Sequence, residues 1–181
     1  MRLARFLALA VALALGIGFV TAAEDQDMKA AILKLAAAVE KNDKDAAKKL
    51  VDELKKADLE DVMNVMKPTA KKGVDVGFPE GIETKLNNAS KKAADASTKA
   101  AAYEKAAQVV AAIAEVAAVK CPVTKKEGDK DPKKWDEWVK ELKEGAKALE
   151  DAAKAKDPKK VSAAAKKLTG ACNSCHGVFR D

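Results

Sequence analysis

One histidine, three cysteines and three arginines in 181 residues leave little room for several kinds of chemistry. A single imidazole excludes His-rich zinc sites, di-iron sites and bis-His coordination within one chain. Three Cys cannot build a disulfide framework. Arginine is confined to Arg2, Arg5 and Arg180, so there is little to read phosphates or bases, and nucleic-acid binding is not expected. Aromatic residues make up 4% of the chain, and Pro (5) and Gly (9) are few. What remains is helix-forming material. Hydrophobic residues reach 48%, much of it Ala, which is too high for a disordered chain and leans towards helices. The length suits one domain.

Residues 1–23 read as an address. Arg2 and Arg5 form a basic n-region, and Phe6 to Val20 is an apolar run short for a bilayer span. Thr21-Ala22-Ala23 then supplies small residues before Glu24-Asp25. We read this as a secretory signal peptide cleaved after Ala22 or Ala23, which predicts an exported, periplasmic protein with no stable membrane insertion afterwards. Residues 24–181 form the working domain. Cleavage removes Arg2 and Arg5 but no acid, so the net charge of +6 falls and stays positive.

The working domain is patterned for helices. Asp27 is placed to cap one in which Met28, Ile32, Leu35 and Val39 share a face. Asn42-Asp43 interrupts it. Leu50, Val51 and Leu54 continue the pattern, and Leu59, Val62, Met63 and Met66 follow a break near Asp58. Pro68 ends this region and opens a Gly/Pro loop over 68–81. From Ile82 an apolar row runs through Leu86, Ala93, Tyr103 and Val110 to Cys121-Pro122, long enough that a division at Asn87-Asn88 or Ser97 is expected. After a charged loop at 122–130, two helices each open with Asp-Pro-Lys-Lys, at 131–134 and 157–160, which is an Asp N-cap followed by Pro at the first helical position. Trp135, Val139, Leu142, Ala146 and Leu149 form the apolar face of the first. Val161, Ala165, Leu168, Cys172, Cys175 and Phe179 form that of the second. No segment alternates with period two. The predicted class is all-α, an antiparallel helical bundle.

Cys172-Asn173-Ser174-Cys175-His176 is C-x-x-C-H, the attachment signature of c-type haem. Two thiols one helical turn apart can add to the vinyl groups on one porphyrin edge, and the next residue can reach the iron as proximal ligand. The expected cofactor is therefore haem c, one per chain, covalently attached. A thioredoxin-type motif needs a βαβ setting and a helix N-terminus, and this motif lies at the end of the last helix. A zinc site lacks a fourth ligand, because Cys121 is remote in sequence and no second His exists.

The C-terminal residues, from Trp135 through Cys172, Cys175 and His176 to Phe179-Arg180, resemble class II c-type cytochromes, the cytochrome c-prime family. That resemblance implies a four-helix bundle with haem on its C-terminal helix, and 95–122 is similar to the family's second helix. The region before departs from the pattern through an extra helical segment at 28–57 and the loop at 68–81. The resemblance also places Arg180 near the proximal His and the haem edge; a helix-dipole role is the alternative.

The sixth iron ligand is left open. The family divides into members with an apolar distal residue and five-coordinate iron, and members with a Met ligand from the first helix. Met63 and Met66 look like those Met positions, with Met66 preferred; both would equally serve as core filling. Met ligation would suit electron transfer, and an open side would suit binding of NO or CO. No distal His is available for acid–base work, so an enzyme is not expected. Trp135 and Trp138 read as core. Cys121 reads as a buried thiol, with an intermolecular disulfide as the alternative. Lys and acidic residues interleave as solvated helix faces. The Lys excess would steer an acidic redox partner, not otherwise identified, and a homodimer is compatible with the family.

Overall fold

The computed structural model describes residues 17–92 and 96–180, with side chains from 26 and, past the second gap, from 98. Most of the expected leader therefore lies outside the described residues. Among the described residues seven α-helices follow one another: α1 (Ile17–Glu40), α2 (Lys44–Leu54), α3 (Leu59–Asn64), α4 (Ile82–Lys91), α5 (Ala96–Ala117), α6 (Pro132–Lys154) and α7 (Pro158–Phe179). A single 3-10 turn, Thr69–Lys71, lies between α3 and α4. Among the described residues there is no strand, only an isolated bridge between Glu127 and Lys130 in the charged loop.

Helix starts are set by Asp side chains at three points. Asp43 accepts from the Ala46 N–H at 3.0 Å and opens α2. Asp131 accepts from Lys133 N–H at 2.9 Å, and Asp157 from Lys159 and Lys160 N–H at 3.0 and 3.1 Å. Each of the last two is followed by Pro132 or Pro158, whose missing N–H is no loss in a first turn. Asp27 does not behave in this way. It lies inside α1, because the helix-compatible residues from Ile17 onward give the chain no reason to start at Asp27. The long apolar row is divided, but at neither expected point. Helix α4 stops at Lys92 (φ −149°, ψ 162°), and α5 carries a further non-helical residue at Lys99. An Ala-rich row keeps its phase through such a break, so composition could not locate it.

The helices pack as an antiparallel bundle. Ion pairs join α5 to α6 at both ends, Glu115 with Lys143 (2.9 Å) and Glu104 with Lys154 (3.6 Å). Glu144 and Lys167 join α6 to α7 at 2.7 Å. These half-exposed pairs fix register more than they stabilise. Close approach does more. A Cβ at Gly145 would sit 2.8 Å from Leu168 Cδ2, and Leu168 is fully buried, so glycine lets α6 and α7 meet. The remaining side is divided between two elements: α1 packs on α5, and α4 packs on α7. Ser162 Oγ, near the start of α7, donates to Ala89 O at 2.6 Å near the end of α4, so these two helices run in opposite directions.

Two apolar clusters fill the interior. The larger includes Ile32, Leu35, Val62, Val65, Phe78, Ile82, Tyr103, Ile113, Leu149 and Leu168, with the Phe78 and Tyr103 rings edge to face at 5.0 Å. The smaller consists of Ala117, Trp135 and Val139, with Leu59, Cys121, Cys175 and Phe179 packed against it. Leu59 touches both.

Candidate functional site

The last two turns of α7 carry Cys172, Cys175, His176 and Phe179. All four are partly buried. The two thiols are one turn apart on the inner side of the helix but meet different neighbours. Cys172 packs on the large cluster and Cys175 on the small one, so the pair straddles the junction that Leu59 spans. Burial pushes both thiols up to about 11. Cys172 is raised further by Cys175 and Glu83, and Cys175 by Cys121. Such thiols are neutral near pH 7, which is the opposite of the depressed thiol that a dithiol redox catalyst uses.

Burial also holds the His176 imidazole below its ordinary value of 6.5. The Arg180 guanidinium adds to that effect, and Glu83 opposes it. The ring is therefore biased to its neutral form, with a nitrogen lone pair free to ligate a metal. Arg180 itself is exposed at the end of α7, where its backbone N–H donates to His176 O at 3.2 Å. It combines closure of the helix end with a charge next to the imidazole.

Around the motif, Phe179 is held by two indoles, edge to face with Trp135 at 5.0 Å and with Trp138 at 5.9 Å. Trp135 is buried, as expected, and its Nε1–H donates to Ala117 O at 2.9 Å, tying α6 to the end of α5. Trp138 is only half-buried and forms the rim of the cluster. On the other side of α7, the first turn of α4 brings Glu83 near Cys172 and His176. Glu83 N–H donates to Met66 O at 3.2 Å. Met63 and Met66 both pack against the large cluster that also touches Cys172.

Met63 and Met66 lie, as expected, between a break near Asp58 and an end at Pro68. Met63 is in the six-residue α3, and Met66 is in the turn that follows, because Asp58 and Pro68 confine the helix between them. Cys121, remote in sequence, is not remote in space, since it shares the small cluster with Cys175. Neither Glu83 nor Cys121 carried a local signal in the sequence. Both reach the motif through the packing of α4 and of the α5–α6 loop.

A zinc reading gains nothing from this proximity. Among the described residues, the one group of three or more ligand side chains converging on a point is Glu40, Glu104 and Glu150, and Lys154 already pairs with two of them. Two neutral thiols a turn apart and a neutral imidazole in the next position instead fit a haem that the two sulfurs would hold and the imidazole would ligate. Residues 123–180 match the family model described as Cytochrome C'.

Over these residues the chain is similar to the cytochrome c′ family.

The matched stretch runs from the α5–α6 loop through both Asp-Pro starts, Trp135 and the C-x-x-C-H motif to Arg180. Haem c is the cofactor of that family, and the all-helical architecture of the described residues agrees with the match. Comparison with curated proteins and with solved structures gave no match. No described helix of this cytochrome c′-like chain is long and apolar enough to cross a membrane.

Proposed function

We propose that the protein is an exported mono-haem electron carrier, with haem joined covalently to Cys172 and Cys175, His176 as proximal ligand and Met66 as distal ligand. Bound haem supplies a one-electron ferric–ferrous couple, and a thioether ligand raises its potential. The chain's own residues do the rest. Cys172 and Cys175, at the junction of the two clusters, would hold the haem, and His176 would present a neutral nitrogen to its iron. The apolar neighbours of the thiols limit water at the site.

The observation that carries the distal assignment is the backbone bond from Glu83 N–H to Met66 O. It ties Met66 to the first turn of α4, the helix packed on α7. Met63 sits one turn earlier in the same cluster and is the substitute ligand. Export follows from residues 1–23, with cleavage after Ala22 or Ala23 leaving a shortened α1. The Lys excess favours an acidic redox partner.

The absorption spectrum of the reduced protein before and after CO tests this reading. A low-spin spectrum unchanged by CO supports Met ligation, and Met66→Leu then turns it high-spin. A wild-type high-spin spectrum that shifts with CO overturns it in favour of five-coordinate iron that binds diatomic gases.

A further inference from the structure

The third cysteine has no part in that scheme, and its surroundings give it one. Cys121 lies four residues beyond the end of α5 and is pinned from two sides. The preceding residue, Lys120, donates through Nζ to Lys55 O (3.0 Å) and Ala57 O (2.6 Å) at the end of α2. Its own Sγ donates to Val123 O at 3.1 Å. Held there, Cys121 packs against the small cluster of Ala117, Trp135 and Val139, against which Cys175 also packs from α7. Cys172 faces the other cluster. Of the two motif thiols, the one brought up to Cys121 is therefore Cys175. The effect of Cys121 on the Cys175 thiol agrees with that proximity.

We propose that, in the chain that has not yet received haem, Cys121 and Cys175 form an intramolecular disulfide that competes with thioether formation at Cys175. The inference rests on the reading of Cys172 and Cys175 as attachment thiols. The oxidant is a small-molecule or protein disulfide of the kind present in an oxidising compartment. Cys121 loses its proton and attacks one sulfur of that disulfide, forming a mixed disulfide and releasing one thiol. Cys175 then loses its proton and displaces the second thiol, so two thiols are oxidised and one external disulfide is reduced to two thiols. Cys175 is a poor first attacker because its burial disfavours the thiolate, but the second step is intramolecular, where proximity offsets that deficit. While the bond stands, Cys175 has no S–H to add across a vinyl group, and only Cys172 can react. A thiol reductant reverses the state.

The test uses the full chain produced without haem attachment, treated with oxidised glutathione, alkylated, and cleaved after Lys and Arg. Mass spectrometry is expected to find the peptide 121–125 joined to 168–180, with Cys172 carrying the alkyl group. In cells under oxidising growth, Cys121→Ser is expected to raise the fraction of chain with covalent haem at least twofold. A loop confined to 168–180 with Cys121 alkylated overturns the proposal, as does a cross-link at Cys121 between two chains on a non-reducing gel. An unchanged haem fraction in Cys121→Ser overturns the competition. If the wild-type chain never acquires covalent haem, the attachment reading fails and the competition with it, while the cross-linked peptide is still scored separately because its detection needs no haem.

Discussion

The α6–α7 pair and the segment from α1 to α4 reach the same bundle by different means. In α6 and α7, each start is a local Asp-Pro signal, each apolar face keeps one period for about five turns, and the connection between them is only Ala155 to Asp157. Little beyond nearest neighbours in sequence is needed. The region before α5 is held by backbone bonds across its loop. Val74 N–H donates to Val65 O at 2.9 Å, Thr69 N–H to Pro79 O at 3.2 Å and Glu83 N–H to Met66 O at 3.2 Å. Gly81 (φ +91°) lies so close to this fold-back that a Cβ would stand 2.6 to 2.8 Å from the backbone of Met66, Lys67 and Pro68. One half builds the helix that carries the C-x-x-C-H motif, and the other packs against it through α4.

The largest effect separates those duties outright. The double variant Cys172→Ala, Cys175→Ala is expected to lose all covalent haem, read as haem that no longer stays with the denatured chain. Normal retention would remove the haem half of the comparison. Next, Trp135→Ala removes an indole that contacts Phe179 and secures the end of α5, and about 3–5 kcal/mol of stability is expected to go with it, measured by chemical denaturation. A loss below 1 kcal/mol would mean the small cluster does not join the two halves.

Gly81→Ala should act on the other half. Its strained backbone and the blocked approach predict a loss of about 1–3 kcal/mol. The haem-loaded protein should also become partly high-spin while covalent attachment persists. A variant with unchanged spin state would separate the loop from the distal ligand. The smallest effect is a pH dependence. Backbone N–H groups of Lys160 and Lys159 hold the Asp157 carboxyl below its ordinary 3.8, against some opposing burial. Its contribution to stability is complete above pH 3.8 and is lost as pH falls through the lower folded value. Asp157→Asn should flatten the acid limb of the stability curve relative to wild type, and an identical limb would show that the α7 cap is dispensable.

The same contrast explains what could be read in advance. The two Asp-Pro starts, the break at Asn42-Asp43 and the inward row ending at Cys172 and Cys175 depend on residues within a turn or two of each other. They were legible for that reason. Asp27 misled because capping chemistry marks a start only where the preceding residues cannot be helical. The division near Lys92 was invisible because alanine preserves the apolar phase on both sides. Glu83 and Cys121 reach the motif only through tertiary packing across dozens of residues, so neither had a local signature. Met63 and Met66 fall where the sequence predicts them, after the break near Asp58 and before Pro68, because both signals are local.

The three-residue turn between α6 and α7 has a kinetic consequence. An antiparallel hairpin of two long helices closes a very short loop, whereas α4 must find α7 across some seventy residues. The topology therefore favours a folding order in which the α6–α7 hairpin zips first and α5 joins it through Trp135. The α1 to α4 region then lands last. On the proposed function, the Cys172 and Cys175 thiols would pass through a stage in which one flank of their helix is still open, a window for a bulky planar group to enter before α4 closes over that flank.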